Sequence, residues 1–309
     1  MIKSYMSHNR TVKFLLSQNK QIDSAIGDVD LSWKHADIIQ GYCNDLKEII
    51  NNMLFGQLEI PETVENAPID RKKDKYTQWV EVMRLALFQY ERFATGGLAL
   101  SEGLYATLVA LAATWGGNEL RKIVVLGCGP GRTVLDFSRI YQSCEIEGLD
   151  YSLFSLMLAE KIICGTNSVP ILRRNVLSDD YSEVLNIPGM NRKNVSFGLI
   201  DLGIDSIPKS DMIICSNVLN LLPNHSFAID QMFQSLNNGG ILILADLLGW
   251  RLDREAERKV IRTSQKLIAS FEKAGFDTLE HFEGVPYIES ESADQFVFYK
   301  EHFYVGRKR

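Results

Sequence analysis

The sequence predicts an α/β protein: a doubly wound, mostly parallel sheet in the C-terminal part, preceded by a helical extension. Three observations carry that reading. From Lys122 onward, short β-rich runs alternate with helical stretches of roughly 10–20 residues, the pattern of strand–helix–strand crossovers. The runs 123–126, 212–214 and 241–244 are apolar almost without interruption, as strands covered on both faces are. Residues 1–115 instead repeat apolar positions three and four apart, the period of a helix.

In the extension, Ile38, Ile39, Tyr42, Leu46, Ile49, Ile50, Met53 and Leu54 fall on one helical face. Pro61 and Pro68 bracket a polar loop. A second helix is expected from Tyr76 through Trp79, Val80, Met83 and Leu87 to Tyr90. Gly96-Gly97 then breaks the chain before a helix over Glu102 to Trp115, apolar on most sides. The second part, 116–309, opens with a strand at 122–127, a glycine turn and a helix over Thr133 to Gln142. Strands at 144–150, 169–176, 211–219 and 241–248 follow as the second to fifth members of the sheet. Helices over Leu153 to Ile163 and Ser226 to Leu236 lie between them, and a long helix over Arg254 to Ala274 is stopped by Gly275 as its C-cap. The closing segments FDTLEHFEG and QFVFYKEHFYVG are joined by too little chain for a crossover helix, so they are expected to run antiparallel.

The 309 residues are 46% hydrophobic and 23% charged, an ordinary balance for one large domain or one domain with an extension. The net charge of −6 weighs against a nucleic-acid partner, since phosphates demand a concentrated basic surface. The two basic clusters, 71–75 and Arg307-Lys308-Arg309, carry no interleaved aromatics. Five cysteines without a CxxC pair, and five scattered histidines, predict reduced thiols and no metal site. The stretch from Leu104 to Trp115 is well short of the roughly 20 apolar residues that cross a bilayer. A soluble, cytoplasmic protein without a membrane partner is expected.

The chemistry lies after the first strand, where Gly127, Gly129 and Gly131 stand at the spacing G-x-G-x-G directly before a helix. Glycines there let backbone approach a ligand closely and adopt angles closed to other residues. Asp150 ends the next strand, where a carboxylate accepts hydrogen bonds from ribose hydroxyls. By itself such an aspartate is more often a helix cap; beside the glycine loop it forms a ribose-binding constellation. Arg132 occupies the third glycine position of the dinucleotide fingerprint, and no Lys-Ser or Lys-Thr follows Gly131, so NAD and nucleoside triphosphates are disfavoured.

VLGCGPGRTVL followed by EIEGLDYS resembles the first two motifs of class I S-adenosylmethionine-dependent methyltransferases. The resemblance continues in order through RRNVLS, DMIICSNVLNLLP, LNNGGILILADLL, LIASFEKAGFDTLE and FYVGRKR, over about residues 120–309. It implies a Rossmann-like, seven-stranded sheet with an antiparallel last strand, and S-adenosylmethionine as cofactor. By the same resemblance Gly127, Cys128, Gly129 and Gly131 form the loop at its methionine part and Asp150 holds the ribose. Tyr151 lies beside the adenine, Asn175 and Val176 lie at its amino edge, and Asn217 faces the methionine end and the acceptor. Asn175 stands where an aspartate is more usual. The family has no universal catalytic residue, because alignment of donor and acceptor does most of the work; Tyr90 and His225 are the candidates here. A small molecule or short peptide is the expected acceptor, its atom (oxygen, nitrogen, carbon or sulfur) left open. The N-terminal helices are expected to form either a lid or a homodimer face. Rival readings are another group transfer on the same scaffold, a non-catalytic cofactor-binding partner protein, and an NAD-dependent oxidoreductase.

Overall fold

The computed structural model describes residues 2–28, 36–55, 82–83, 85–86, 89–90, 102–117, 119–174, 181–222, 224–248, 261, 263–290 and 296–309. Among them the chain order is β1 (Ile2–Ser4), α1 (His8–Asp28), α2 (Ala36–Phe55), α3 (Glu102–Trp115), β2 (Lys122–Leu126), α4 (Arg132–Ile140), β3 (Glu145–Asp150) and α5 (Leu153–Ile163). Then come β4 (Val169–Arg174), β5 (Tyr181–Ile187), β6 (Val195–Leu199), β7 (Ser210–Ser216), a 3-10 turn (Leu219–Leu221), α6 (His225–Ser235), β8 (Leu236–Asp246), α7 (Ser264–Ala274), β9 (Phe276–Ser290) and β10 (Phe296–Lys308). Val82, Met83, Leu85, Ala86, Gln89 and Tyr90 are also helical.

Eight strands form one sheet in the order β1-β6-β3-β2-β7-β8-β10-β9. β1, β6, β3, β2, β7 and β8 run parallel to one another, and β10 is antiparallel to both β8 and β9. Six of these strands, β2, β3, β7, β8, β9 and β10, are expected ones, and the antiparallel member is among them; β6 and β1 are not. The eighth, β1, is added at the edge by the chain's first residues. It is anchored there by Glu147, a fully buried carboxylate on β3 that accepts from the Tyr5 hydroxyl and pairs with Lys122 at 2.6 Å.

One expected strand is displaced. The run 169–176 was expected as the third strand of the sheet; its described part, β4, instead pairs antiparallel with β5 in a separate two-stranded ribbon. The place beside β3 belongs to β6, Val195–Leu199. Either short apolar run suits a buried strand. The choice is made by long-range fit: Gly148 on β3 leaves room for the Phe197 ring on β6, whose atoms lie 2.9 Å from where a β-carbon would stand. The ribbon packs against α2, whose Tyr42 hydroxyl donates to the Pro170 carbonyl.

Alternation along the central strands sends side chains into two cores. Ile123, Val125, Met212, Ile214, Ile241 and Ile243 face the side covered by α1 to α5. Val124, Leu126, Ile213, Cys215, Leu242 and Leu244 face α6 and α7. This two-sided burial is why the strands read as unbroken apolar runs. α5 starts at Ser152, whose hydroxyl accepts from the Ser155 amide, and α7 ends at Gly275 with φ 110°, the left-handed cap expected of it. The helix expected over Arg254 to Ala274 begins only at Ser264, because Thr263 is extended and caps it, its hydroxyl accepting from the Lys266 amide; residues 254–260 and 262, and most of the helix expected from Tyr76, lie outside the described residues. Among the described residues, no helix is long and apolar enough to cross a membrane.

Candidate functional site

β3 and β6 extend to one side of β2, and β7 and β8 to the other. The order of strands therefore reverses between β2 and β7, and a crevice opens beyond the carboxyl ends at such a switch point. The glycine loop emerges there. Gly127, Gly129 and Gly131 have φ of 60°, 53° and 95°, left-handed angles that side chains resist. The loop is also crowded: a β-carbon on Gly127 would stand 1.8 Å from Val218 Cγ2, and one on Gly131 2.7 Å from Ile163 Cδ1. Cys128 between them is buried, and burial pushes its thiol well above the ordinary range, which leaves it without nucleophilic character.

Asp150 ends β3 and binds this loop. Its Oδ2 accepts from the Gly129 amide at 2.8 Å and its Oδ1 from the Ser152 amide at 2.8 Å. Burial raises its pKa while these backbone N–H groups oppose the rise. A carboxylate oxygen accepts more than one hydrogen bond, so each retains capacity for a hydroxyl. Tyr151 beside it is 55% exposed and meets the Phe14 ring of α1 edge-on at 5.1 Å. Asp201, just past β6, lies on the same side of the crevice. It accepts from the Gly203 amide at 3.0 Å and from Arg10 at 3.0 Å, and its charge contributes to raising the Tyr151 pKa after burial.

The first amide of α4 is occupied. The Arg132 amide donates to Gln89 Oε1 at 3.1 Å, and the Arg132 guanidinium donates to the Gln89 carbonyl at 2.8 Å. The guanidinium also pairs with Glu102 and Asp136, each at 2.8 Å, and lies 4.7 Å from the centre of the Tyr105 ring. Tyr90, fully buried, donates to the Pro130 carbonyl at 2.9 Å, and burial lifts its pKa well above the ordinary value. Leu85 stands 3.1 Å from where a Gly129 β-carbon would be. The helical segment bearing Leu85, Gln89 and Tyr90 is thus seated on the glycine loop.

On the other flank, Asn217 follows β7 with φ 55°, unusual for a residue with a side chain. Its amide donates to the Ala245 carbonyl at 2.8 Å, and its Nδ2 donates to Glu301 Oε1 at 2.7 Å. Glu301 is wholly buried on β10, one residue beyond the pairing of His302 with Asp246 at the end of β8. Burial pushes its carboxyl up to about 8, the Asn217 bond opposes this, and Asp246 adds to it. Asp246, also buried, accepts from the Leu219 amide at 2.8 Å.

Of the residues picked from sequence, the structure joins Gly127, Cys128, Gly129, Gly131 and Asp150 into one unit, with Asn217 across the crevice and Tyr151 at its open edge. Tyr90 is brought to the loop as a buried clasp, away from solvent. His225 is buried in the first turn of α6, beyond the 3-10 turn that follows Asn217. Asn175 and Val176 lie outside the described residues. Because β6 and not β4 flanks β3, residues 200–202 occupy the carboxyl end of that neighbouring strand, and Asp201 stands there. Sequence reasoning missed Asp201, Asp246, Glu301 and Gln89. Its one available signal was an acid at the end of, or inside, an apolar run: LID at 199–201, LAD at 244–246 and KEHFYV at 300–305.

No protein-family model and no curated protein sequence matches the chain. Solved structures similar to it include the N-methyltransferase NodS from Bradyrhizobium japonicum WM9 in complex with S-adenosyl-L-homocysteine, 15% identical, with a TM-score of 0.46 over 73% of this chain and 98% of that one. A SAM-dependent methyltransferase from Methanosarcina mazei is 15% identical, with a TM-score of 0.43 over 64% of this chain and 96% of the other. The [4+2]-cyclase SpnF is 15% identical, with a TM-score of 0.45 over 66% and 81%. Likeness at this level assigns no activity.

Proposed function

We propose that this protein transfers a methyl group from S-adenosylmethionine to a small-molecule or short-peptide acceptor. The observation that carries the reading is the pairing of a ribose-type carboxylate with a closed helix start. Asp150 is tied to the glycine loop at the switch point, while the first amide of α4 is taken by Gln89. Dinucleotides and triphosphates lay phosphate on that helix start. A cofactor with a ribose and no phosphate needs the carboxylate and leaves the helix start free to be sealed.

The residues present fit such a cofactor. Asp150 has acceptor capacity for the two ribose hydroxyls, the 127–129 backbone faces the methionine part, Tyr151 and Phe14 offer an aromatic edge to the adenine, and Asp201 an acceptor for its amino group. When bound, the cofactor supplies a sulfonium methyl already activated for displacement. The protein then has to align the acceptor and exclude water, and alignment of this kind lowers barriers by roughly 7–11 kcal/mol in favourable systems. We assign the exclusion of water to the N-terminal helices. Tyr42, Leu46 and Ile50 of α2 are buried in the core shared with α5, and the Gln89 segment is clasped to the loop through Arg132. These faces being used within the chain, a lid is favoured over a homodimer face. Tyr90 is assigned a positioning role, its hydroxyl holding Pro130 in the loop.

Calorimetric titration with S-adenosylmethionine, S-adenosylhomocysteine and NAD tests the reading. Micromolar binding of the adenosyl ligands, and none of NAD, is expected. Binding of NAD in their place overturns it.

A further inference from the structure

A cavity of about 400 Å³ lies away from the crevice, between α2 and the turn that joins α5 to β4. Small-ligand clefts run from roughly 300 to 1,000 Å³, so its size suits a small molecule. α5 begins just past Asp150 and reaches the cavity only with its last turns, about 15 Å further on at 1.5 Å per residue. The two sites are therefore distinct.

Gly41 lines this cavity from inside α2, where glycine destabilises a helix relative to alanine. Neither backbone nor packing requires it. Its φ is not left-handed, and a β-carbon there would meet no atom within 4 Å. A helix glycine with neither cause keeps space open over the cavity. The polar lining is also matched in charge. Lys161 Nζ lies 2.7 Å from Asp45 Oδ2, with both side chains more than one-third exposed. A pair so exposed adds little to stability, yet it sets an ammonium donor beside a carboxylate acceptor. Thr166, Asn167 and Ser168, all exposed, add two hydroxyls and an amide, while Ile38, Tyr42 and Pro170 add apolar surface.

We propose that this cavity seats a neutral polyhydroxylated ring of the sugar class, at a second site independent of the methyl-transfer reading. One carboxylate and one ammonium leave the lining without net charge, which disfavours a phosphate ester and a lone cation alike. A vicinal diol satisfies both groups at once. One hydroxyl donates to Asp45 while its neighbour accepts from Lys161, and such bonds to charged partners are the stronger ones. The uncharged groups of 166–168 meet further hydroxyls. The C–H face of the ring lies against Ile38, Tyr42 and Pro170.

The test is a heteronuclear NMR titration of the full chain with methyl hexopyranosides and myo-inositol, beside cyclohexanol, alanine and inorganic phosphate. At least one polyol should shift the Gly41 amide and the Asn167 side-chain amide saturably, with an affinity of about 1 mM. Cyclohexanol, which has one hydroxyl, should not. Gly41→Met fills the cavity and removes the helix glycine. It should weaken polyol binding at least tenfold, raise Tm, and leave the response to S-adenosylhomocysteine as in wild type. Asp45→Asn and Lys161→Gln, at exposed positions where the fold tolerates change, should each weaken polyol binding at least threefold.

Saturation by none of the polyols, or equal binding of cyclohexanol, overturns the seat. A preference for alanine or phosphate overturns the class of ligand. Polyol binding that persists undiminished in Gly41→Met, or in both Asp45→Asn and Lys161→Gln, places the ligand elsewhere and overturns the assignment to this cavity.

Discussion

Glu301 makes stability depend on pH, and replacing it by glutamine isolates that dependence. Glutamine keeps the shape of the side chain and an oxygen for Asn217 Nδ2, and has no proton to lose. In the fold, burial and the nearby Asp246 carry the Glu301 carboxyl from its ordinary 4.5 to about 8. An acid whose pKa is raised by folding holds its proton longer folded than unfolded. Its favourable contribution is complete below about pH 4.5, where both states are protonated, and is lost as the pH climbs to about 8. At about 1.4 kcal/mol per pKa unit, wild type should lose up to about 5 kcal/mol relative to Glu301→Gln across that interval. Water entering beside the ionised carboxylate relieves part of this, so about 2–5 kcal/mol is the working expectation. Urea unfolding of both proteins from about pH 5 to about pH 9 reads the difference directly, provided the m-value is unchanged. The gap should widen steadily up to about pH 8 and then level. A gap that stays constant refutes the argument, because it means that folding leaves the Glu301 pKa where it stands in the unfolded chain.

Four other outcomes are expected. Asp150→Asn turns an amide N–H towards either the Gly129 or the Ser152 amide, and should weaken S-adenosylhomocysteine binding roughly 10- to 100-fold, the worth of a charged hydrogen bond, by calorimetry. Gly127→Ala forces a side chain into a left-handed angle and against Val218, and should lower stability by about 1–3 kcal/mol; adding Val218→Ala should recover only the steric part in denaturant titrations. Arg132→Leu removes the cation between Glu102 and Asp136 and should cost about 3–5 kcal/mol, with earlier proteolytic cleavage of the N-terminal helices as the second readout. Tyr90→Phe loses only the bond to Pro130, and should lower stability by about 1 kcal/mol while leaving the pH profile of turnover unchanged; a lost alkaline limb would make the phenol a proton carrier instead.

Local chemistry was legible in the chain because short-range rules decide it. The glycines after β2 have to be glycines at φ between 53° and 95°, Gly275 has to end α7, and the apolar runs of β2, β7 and β8 have to be buried on both faces; each is a statement about neighbouring residues. Asp150 was found for the same reason, lying one strand beyond the loop it binds.

Pairing between distant segments was decided only by the tertiary structure. Val169–Arg174 and Val195–Leu199 are equally good strands in isolation. The second wins the place beside β3 because Gly148 admits the Phe197 ring, and that choice carries Asp201 to the carboxyl end of the strand beside β3. Ile2–Ser4 becomes a strand only because β6 offers an edge and Glu147 a buried anchor. Gln89 is unremarkable until it lies on the α4 amide, 43 residues away in sequence. Glu301 and Asn217 are 84 residues apart and meet because β10 reaches across the end of β8. Sequence alone thus determined the central strands and their helices, the glycine loop and its carboxylate, since those follow from backbone sterics and hydrophobic period. The fold decided which acids face the crevice and which backbone amides are sealed, because desolvation and hydrogen-bond partners exist only once distant strands are side by side.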